Sequence, residues 1–343
     1  MEYEFAGIIV VVLIVLAISL SFSIGANDET TAPLAAAGTL KFKLVLIFGG
    51  FAIGFGTIFL SRGVASMVGE KLLGPSIQYS IWMLLSVLIS AIIWLVIGSF
   101  SGIPLSSTHS LIGSIFGVVI VYAISKGGIN PTTAFNNEKL FGVVLSWFLS
   151  PAIGLLVTYG IFKIIAYFYL SRLKGLNRIE KSEKNFSLIL VVAVFFAEIW
   201  VGANSAEALG ILYALFDNGS ISIEGYYFFV VLCAITAFLG LYFAGRFVIK
   251  NLASQLTEAR PSDGFIIQLS SAIILMVCTV LYSVPVSHSH VIVFCIIGMN
   301  MAQKKEVDYK GLGKMFVYWL LTFPIAGLFA GILYYGFVSV GLY

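Results

Sequence analysis

The sequence predicts an all-α polytopic membrane protein made of two inverted repeats, with broken helices and re-entrant half-helices. Three observations lead there. Of 343 residues, 60% are hydrophobic and only 10% charged, with a mean hydropathy of +1.05, whereas a soluble domain carries roughly 25% charged residues. Apolar runs near the spanning length of about 20 residues recur along the whole chain. Two short polar words interrupt them, and each word occurs twice, in the same order.

Taken in order, the spans read as Phe5 to Ile24, Leu44 to Leu60, Ile77 to Ser99, Leu140 to Leu170, Phe186 to Val201, Gly225 to Ala244, Phe265 to Val284 and Gly313 to Val340. Their apolar residues are continuous rather than alternating, which fits helices and not the strands of a barrel. The first run follows Met1-Glu2-Tyr3-Glu4, acidic where a signal peptide is basic, and so reads as a membrane helix. Leu111 to Ser125 and Val291 to Ala302 follow the second polar words directly and are short for full spans. Cys233, Cys278 and Cys295 sit inside apolar runs with no CxxC spacing, which makes them packing residues rather than disulfide or zinc partners.

The words are Gly25-Ala26-Asn27-Asp28 with Ser106-Ser107-Thr108-His109, and Gly202-Ala203-Asn204-Ser205 with Ser287-His288-Ser289-His290. Other anchors keep step with them: Pro104 with Pro285, Arg62 with Arg246, Lys139 with Lys310, Trp147 with Trp319 and Pro151 with Pro324. A duplicated membrane chain whose helices are broken at matching polar words points to a transporter with its site near the midplane, between the repeats.

The first word ends a hydrophobic helix with an amide and two acids, followed by Pro33, and a helix is expected to break there. A carboxylate within a membrane segment is costly and by default functional; the alternative is that Asp28 and Glu29 mark a surface loop. All three histidines fall in the second word and its repeat. Proline, then hydroxyls, then an apolar run is an N-cap pattern. The free N–H groups and positive end of such a helix form an anion site that needs no lysine or arginine. Ser106, Ser107, Thr108, Ser287 and Ser289 add rotatable donors suited to a tetrahedral oxyanion. His288 stands where the first repeat has Ser107; it can titrate between about pH 5 and 8 and as imidazolium would favour a divalent anion. A metal site of His109, His288 and His290 is the competing reading, although no carboxylate or thiolate stands at ligand spacing in the sequence.

One polar stretch, residues 171–185, divides the chain into a first repeat (1–170) and a second (186–343). It holds Arg172, Lys174, Arg178, Lys181 and Lys184 against Glu180 and Glu183, which places this basic linker in the cytoplasm. The termini, lacking such charge, are expected outside. An odd number of crossings per half would then invert the repeats. Gly50 to Gly54, Gly113 to Gly117 and Gly327 to Gly331 fit GxxxG and suit close helix approach, a dimer face included.

These words resemble those of the inorganic phosphate transporter (PiT) family, whose halves each bear a GAND-type signature and a P-x-S-T-T-H word. The run Gly240 to Ile249 and the run Leu256-Thr257-Glu258-Ala259-Arg260-Pro261-Ser262-Asp263-Gly264-Phe265 are similar to further family elements, so the resemblance extends from Ile24 to Gly331. It implies an all-helical inverted-repeat secondary transporter in the cell membrane, commonly a homodimer, moving phosphate with sodium or protons. No other cofactor and no nucleic-acid partner is implied. The resemblance carries substrate and ion roles to Asn27, Asp28, Asn204, Ser106, Ser107, Thr108, Ser287 and Ser289. The chain departs from the pattern at Ser205, where the second acid is lost, at Glu29-Thr30-Thr31, at His288 and at Gln268. The inner carboxylates are thus reduced, with Glu207 the nearby replacement. Substrate binding is assigned to Asn27, Asp28, Ser106, Ser107, Thr108, Asn204, Ser205, Ser287, His288 and Ser289, and the coupling cation to Asn27, Asp28, Asn204 and Glu207. A carboxylate that accepts the proton of phosphate favours it over sulfate; with one acid lost, sulfate or another oxyanion stays open as substrate. An ion channel and a membrane-embedded enzyme are the other classes. The chain has no GxxxxGK[ST] stretch for ATP, and Ser beside His in one word is too little for a catalytic centre.

Overall fold

Hydropathy of this kind leaves the backbone to satisfy itself, and the computed structural model is helical throughout its spans. The structure describes all residues except 1, 76, 102–104, 127–129, 131, 256–259, 308 and 343; the side chains of 2–6, 98–101, 206 and 251–255 lie outside the description as well. Pro104 and Leu256 to Ala259 are therefore not placed. The first half contains α1 (Glu2–Ala26), α2 (Ala32–Ala36), α3 (Phe42–Leu60), α4 (Arg62–Ser66), α5 (Ile81–Ser101), α6 (Ser107–Lys126) and α7 (Asn137–Phe168). The second contains α8 (Leu176–Ala203), α9 (Ala206–Asp217), α10 (Ile223–Gly240), α11 (Arg246–Gln255), α12 (Pro261–Met276), α13 (His288–Gln303) and α14 (Tyr309–Ser339). Short π-helical turns follow α4, α10 and α12.

The two halves run through corresponding helices in the same order. Arg62 opens α4 as Arg246 opens α11, and Pro151 lies inside α7 as Pro324 lies inside α14. Each of the eight sequence-predicted spans falls on a helix. Among the described residues, eight helical stretches are long and apolar enough to cross a membrane, and α6 is among them. The sequence reading of α6 as too short is corrected here: the polar word itself is helical, so the helix starts at Ser107 and its 20 residues reach about 30 Å. By the same device α13 gains His288 to His290 but stops at 16 residues, ended by Lys304 in the left-handed region (φ 59°). The basic stretch is mostly not a loop, because α8 begins at Leu176.

Packing exchanges partners between the halves. Helix α1 lies on α10 as α8 lies on α3, and α6 lies on α14 as α13 lies on α7. In lipid these contacts gain little from hydrophobicity and depend on small residues and hydrogen bonds. A Cβ at Gly25 would stand 2.0 Å from the Ala237 carbonyl oxygen and one at Gly240 2.0 Å from that of Phe22. The equivalent crossing repeats this, with Gly202 against Ile53 (2.1 Å) and Gly56 against Ile199 (1.8 Å). The GxxxG faces are spent inside the chain: Gly113 and Gly117 meet Phe323 and Gly327 of α14, and Gly50 meets Phe238 of α10. Buried hydroxyls tie the same seams, Ser21 Oγ donating to Cys233 O (2.8 Å) and Ser90 Oγ to Ala326 O (2.8 Å). The first turns of α6 and α13 come together, with the rings of His109 and His290 4.7 Å apart.

Candidate functional site

Helix α1 stops where the sequence turns polar. Asn27 Nδ2 bonds back to Ser23 O (3.0 Å), Asp28 Oδ1 accepts from Thr30 N (3.1 Å), and Pro33 cannot extend the ladder backwards. The chain restarts as α2, with residues 28–31 all buried. The surface-loop alternative for Asp28 and Glu29 is thus overturned, since these side chains are 0% and 2% exposed. Helix α8 stops in the same way at Ala203. Asn204 then turns across to the other polar word, donating from Nδ2 to Val286 O (2.6 Å) and accepting from Val286 N (3.1 Å). An amide that pairs with both backbone groups of Val286 fixes the irregular segment leading into α13.

The second words cap their helices as their composition requires. Ser106 Oγ accepts from His109 N (3.2 Å) and Ser287 Oγ from His290 N (3.4 Å). Across the seam Thr108 Oγ1 donates to Glu207 Oε1 (3.1 Å) and lies 3.4 Å from Val286 O. Two histidines meet here: the rings of His109 and His290 lie 4.7 Å apart, tilted by 47°, with Trp147 against one (3.8 Å) and Trp319 against the other (3.9 Å). The three-histidine metal site does not form, because His288 is grouped with Asp28 and Glu29 and not with His109 and His290. His288 faces elsewhere, with Nε2 3.7 Å from Asp28 Oδ1 and 3.8 Å from Glu29 Oε2.

That third histidine stands over a buried acidic cluster. Glu198 of α8, 0% exposed, lies against Asp28 and Glu29, and the Ser289 hydroxyl lies beside Glu29. A Cβ at Gly49 would come 3.5 Å from Glu198 Oε1 and 2.9 Å from Thr31 Cγ2, so this glycine on α3 leaves the room the cluster occupies. Gln268 of α12 donates from Nε2 to Thr30 O on the opposite side.

Of the residues predicted from sequence, the fold brings Asp28, His288 and Ser289 to one cluster and Thr108, Asn204 and Glu207 to another. Ser106 and Ser287 lie beneath them as caps, and Ser107 opens α6. Ser205 bonds back to its own helix through Val201 O (3.2 Å). Glu207, the candidate replacement for the acid lost at Ser205, stands against Thr108 of the opposite polar word, while Glu29 and Glu198 stand with Asp28. The sequence statement that no carboxylate lies at ligand spacing from a histidine is also corrected, because folding supplies what linear spacing lacked. Glu198 carried a signal that was missed: a lone acid in Phe195-Phe196-Ala197-Glu198-Ile199-Trp200 is an intramembrane carboxylate.

With this geometry in hand, the comparisons with known proteins fall in one direction. A family model described as "Phosphate transporter family" matches residues 74–330. The chain is 26% identical to the "Probable low-affinity inorganic phosphate transporter" of Rhizobium meliloti, over 98% of each chain. It is 25% identical to the protein of the same name in Bacillus subtilis, over 96% of this chain and 97% of that one. Among solved structures, "The sodium-dependent phosphate transporter" superposes with a TM-score of 0.85 at 20% identity, covering 97% of this chain and 100% of the other, which establishes a shared fold.

Proposed function

The chain belongs to the phosphate transporter family, and on that premise we propose that it is a secondary active transporter of inorganic phosphate driven by a co-transported cation, sodium or proton. The observation that carries this reading is the meeting of two capped helix N-termini, α6 and α13, in a buried seam between the halves. Free N–H groups and the positive helix ends attract an anion, and the hydroxyls of Ser106, Ser107, Thr108, Ser287 and Ser289 offer donors to its oxygens. No lysine or arginine is buried among the described residues, so phosphate bound here would depend on helix ends, hydroxyls, His288 and cations. Carboxylates beside the seam select an anion that still carries a proton, which is phosphate at neutral pH and not sulfate.

Asn27, Asp28, Asn204 and Glu207 are the residues proposed for the coupling cation, and Asn27, Asp28, Asn204, Ser205 and His288 complete the substrate shell. The sodium-dependence in the structural neighbour's name supports sodium for that protein. We further infer inverted repeats, a cytoplasmic stretch 171–185, both termini outside the cell membrane and a homodimer. Labelled phosphate uptake into proteoliposomes, with sodium and pH gradients imposed separately and sulfate as competitor, tests this reading. Saturable uptake driven by one gradient and insensitive to sulfate is expected; equal transport of sulfate would reassign the substrate, and non-saturating flux would make the protein a channel.

A further inference from the structure

One cavity shares no residue with the polar words. It has a volume of about 530 Å³ and lies where α7 and α13 end and α12 begins, with Phe162, Leu170, Arg260, Asp263, Lys304 and Lys305 on its walls. The first turns of α8 stand beside it. Glu183 of that helix caps α12, accepting from Ser262 N (3.0 Å) at one oxygen and from Ser262 Oγ (2.9 Å) at the other. The cavity therefore belongs to the same face as the basic stretch 171–185, which holds Arg172, Lys174, Arg178, Lys181 and Lys184.

Its walls divide by chemistry. Arg260, Lys304 and Lys305, all exposed, are set against a single acid, Asp263, which is buried. That acid already accepts at both oxygens, from Arg260 N (3.2 Å) and from Gln303 Nε2 (2.6 Å). The end of α13 is satisfied as well: Asn300 O, Met301 O and Ala302 O are taken by Lys305 N (2.9 Å), Lys304 N (3.2 Å) and Lys163 Nζ (3.1 Å). The cavity is thus net positive, and the helix-end carbonyls beside it are occupied. Phe162 and Leu170 give it an apolar side. Next to Leu170 come Tyr167, Phe168 and Tyr169, all exposed, and aromatic side chains at a helix end mark the level of the lipid headgroups.

A free anion would use the cations and leave the apolar side bare. An anionic phospholipid uses both. We propose that this cavity binds the phosphate headgroup of an anionic phospholipid, with Arg260, Lys304 and Lys305 around the phosphate and acyl chain against Phe162 and Leu170. The guanidinium of Arg260 can hold two phosphate oxygens at once, while the lysines act as point charges. Basic pockets between membrane helices suit such headgroups, and a leaflet rich in anionic lipid draws basic segments to itself. Helix α7 belongs to the first half and α12 and α13 to the second, so a bound lipid ties the halves together at this face. The site stands on these residues alone and does not depend on phosphate being the substrate.

The test is titration of the delipidated full-length protein, in uncharged detergent, with fluorescently labelled phosphatidylglycerol and phosphatidylcholine, read by anisotropy. One saturable phosphatidylglycerol site per chain is expected, at least tenfold tighter than any for phosphatidylcholine and not displaced by inorganic phosphate. Each cation removed should weaken phosphatidylglycerol about fivefold. The variants are Arg260→Gln and Lys304→Asn, the second because asparagine tolerates the left-handed backbone at that position (φ 59°). Their combination should lose at least tenfold, whereas Lys71→Gln, at an exposed lysine outside the cavity, should change nothing. Equal affinity of the wild type for the two lipids would overturn the proposal without recourse to any variant. So would unchanged phosphatidylglycerol affinity in a double variant that keeps the wild-type thermal midpoint. Displacement of the lipid by inorganic phosphate would overturn it in favour of a free-anion site. Phosphate uptake in proteoliposomes is read separately, so failure of the lipid site leaves the transport reading standing.

Discussion

At the scale of single residues, the second cluster shows how one hydroxyl holds a buried carboxyl group. Thr108 donates to Glu207 across the seam between α6 and α9. Thr108→Val keeps the shape and removes the donor, which should cost about 1–3 kcal/mol because a buried carboxylate loses a partner. Chemical or thermal unfolding in detergent measures it, and Thr108→Ser should restore most of the loss; equal stability of all three would show that the bond contributes nothing. Asp28→Asn is expected to leave folding intact and abolish phosphate uptake, since it removes the charge that meets the substrate proton or the coupling cation. Normal uptake with normal expression would remove Asp28 from the site. Asp28 itself was legible from sequence as an acid in an apolar run. Its neighbours were not, because Glu198 lies 170 residues away in sequence and reaches Asp28 only through the packing of α8 on α3.

At the scale of elements, the close crossings are where substitutions should act most strongly. A Cβ at Gly202 would stand 2.1 Å from Ile53 O, and one at Gly117 1.9 Å from Gly327 O. In both cases the obstacle is backbone, which cannot rotate aside as a side chain can. Gly202→Val and Gly117→Val should therefore destabilise by at least the roughly 1–3 kcal/mol typical of overpacking. Gly142 in α7 has nothing within 4 Å of such a Cβ, and Gly142→Ala should be neutral or stabilising by up to about 1 kcal/mol from helix propensity. Thermal midpoints of the three variants decide the matter, and an undisturbed Gly202→Val would mean that the crossing is looser than drawn. Sequence reading found seven of the eight spanning helices and both helix breaks, because hydropathy and the polar words are local. It missed α9 and cut α6 short, since a helix that starts in Ser-Thr-His gives no apolar signal in its first turn. It also left the partner of each GxxxG face open, because spacing on one helix says nothing about which helix approaches.

At the scale of the whole molecule, the exchange of partners between halves makes the seam a joint product of both, and the proposed transport cycle moves one half against the other about it. If the repeats are inverted, residues 171–185 and the carboxyl terminus lie on opposite faces. A single cysteine introduced at Lys181 should then react with an impermeant maleimide only from the cytoplasmic side, and one at Val340 only from outside. Labelling of both from one face would require an even number of crossings and parallel repeats. The resemblance of the polar words made the transporter class readable from sequence, while the convergence of α6 and α13 needed the fold. The most direct measurement of the central claim is the internal concentration of labelled phosphate in proteoliposomes carrying an inward sodium or proton gradient. The account predicts accumulation above the external level that collapses when the gradient is dissipated; phosphate that merely equilibrates, or fails to enter, would contradict it.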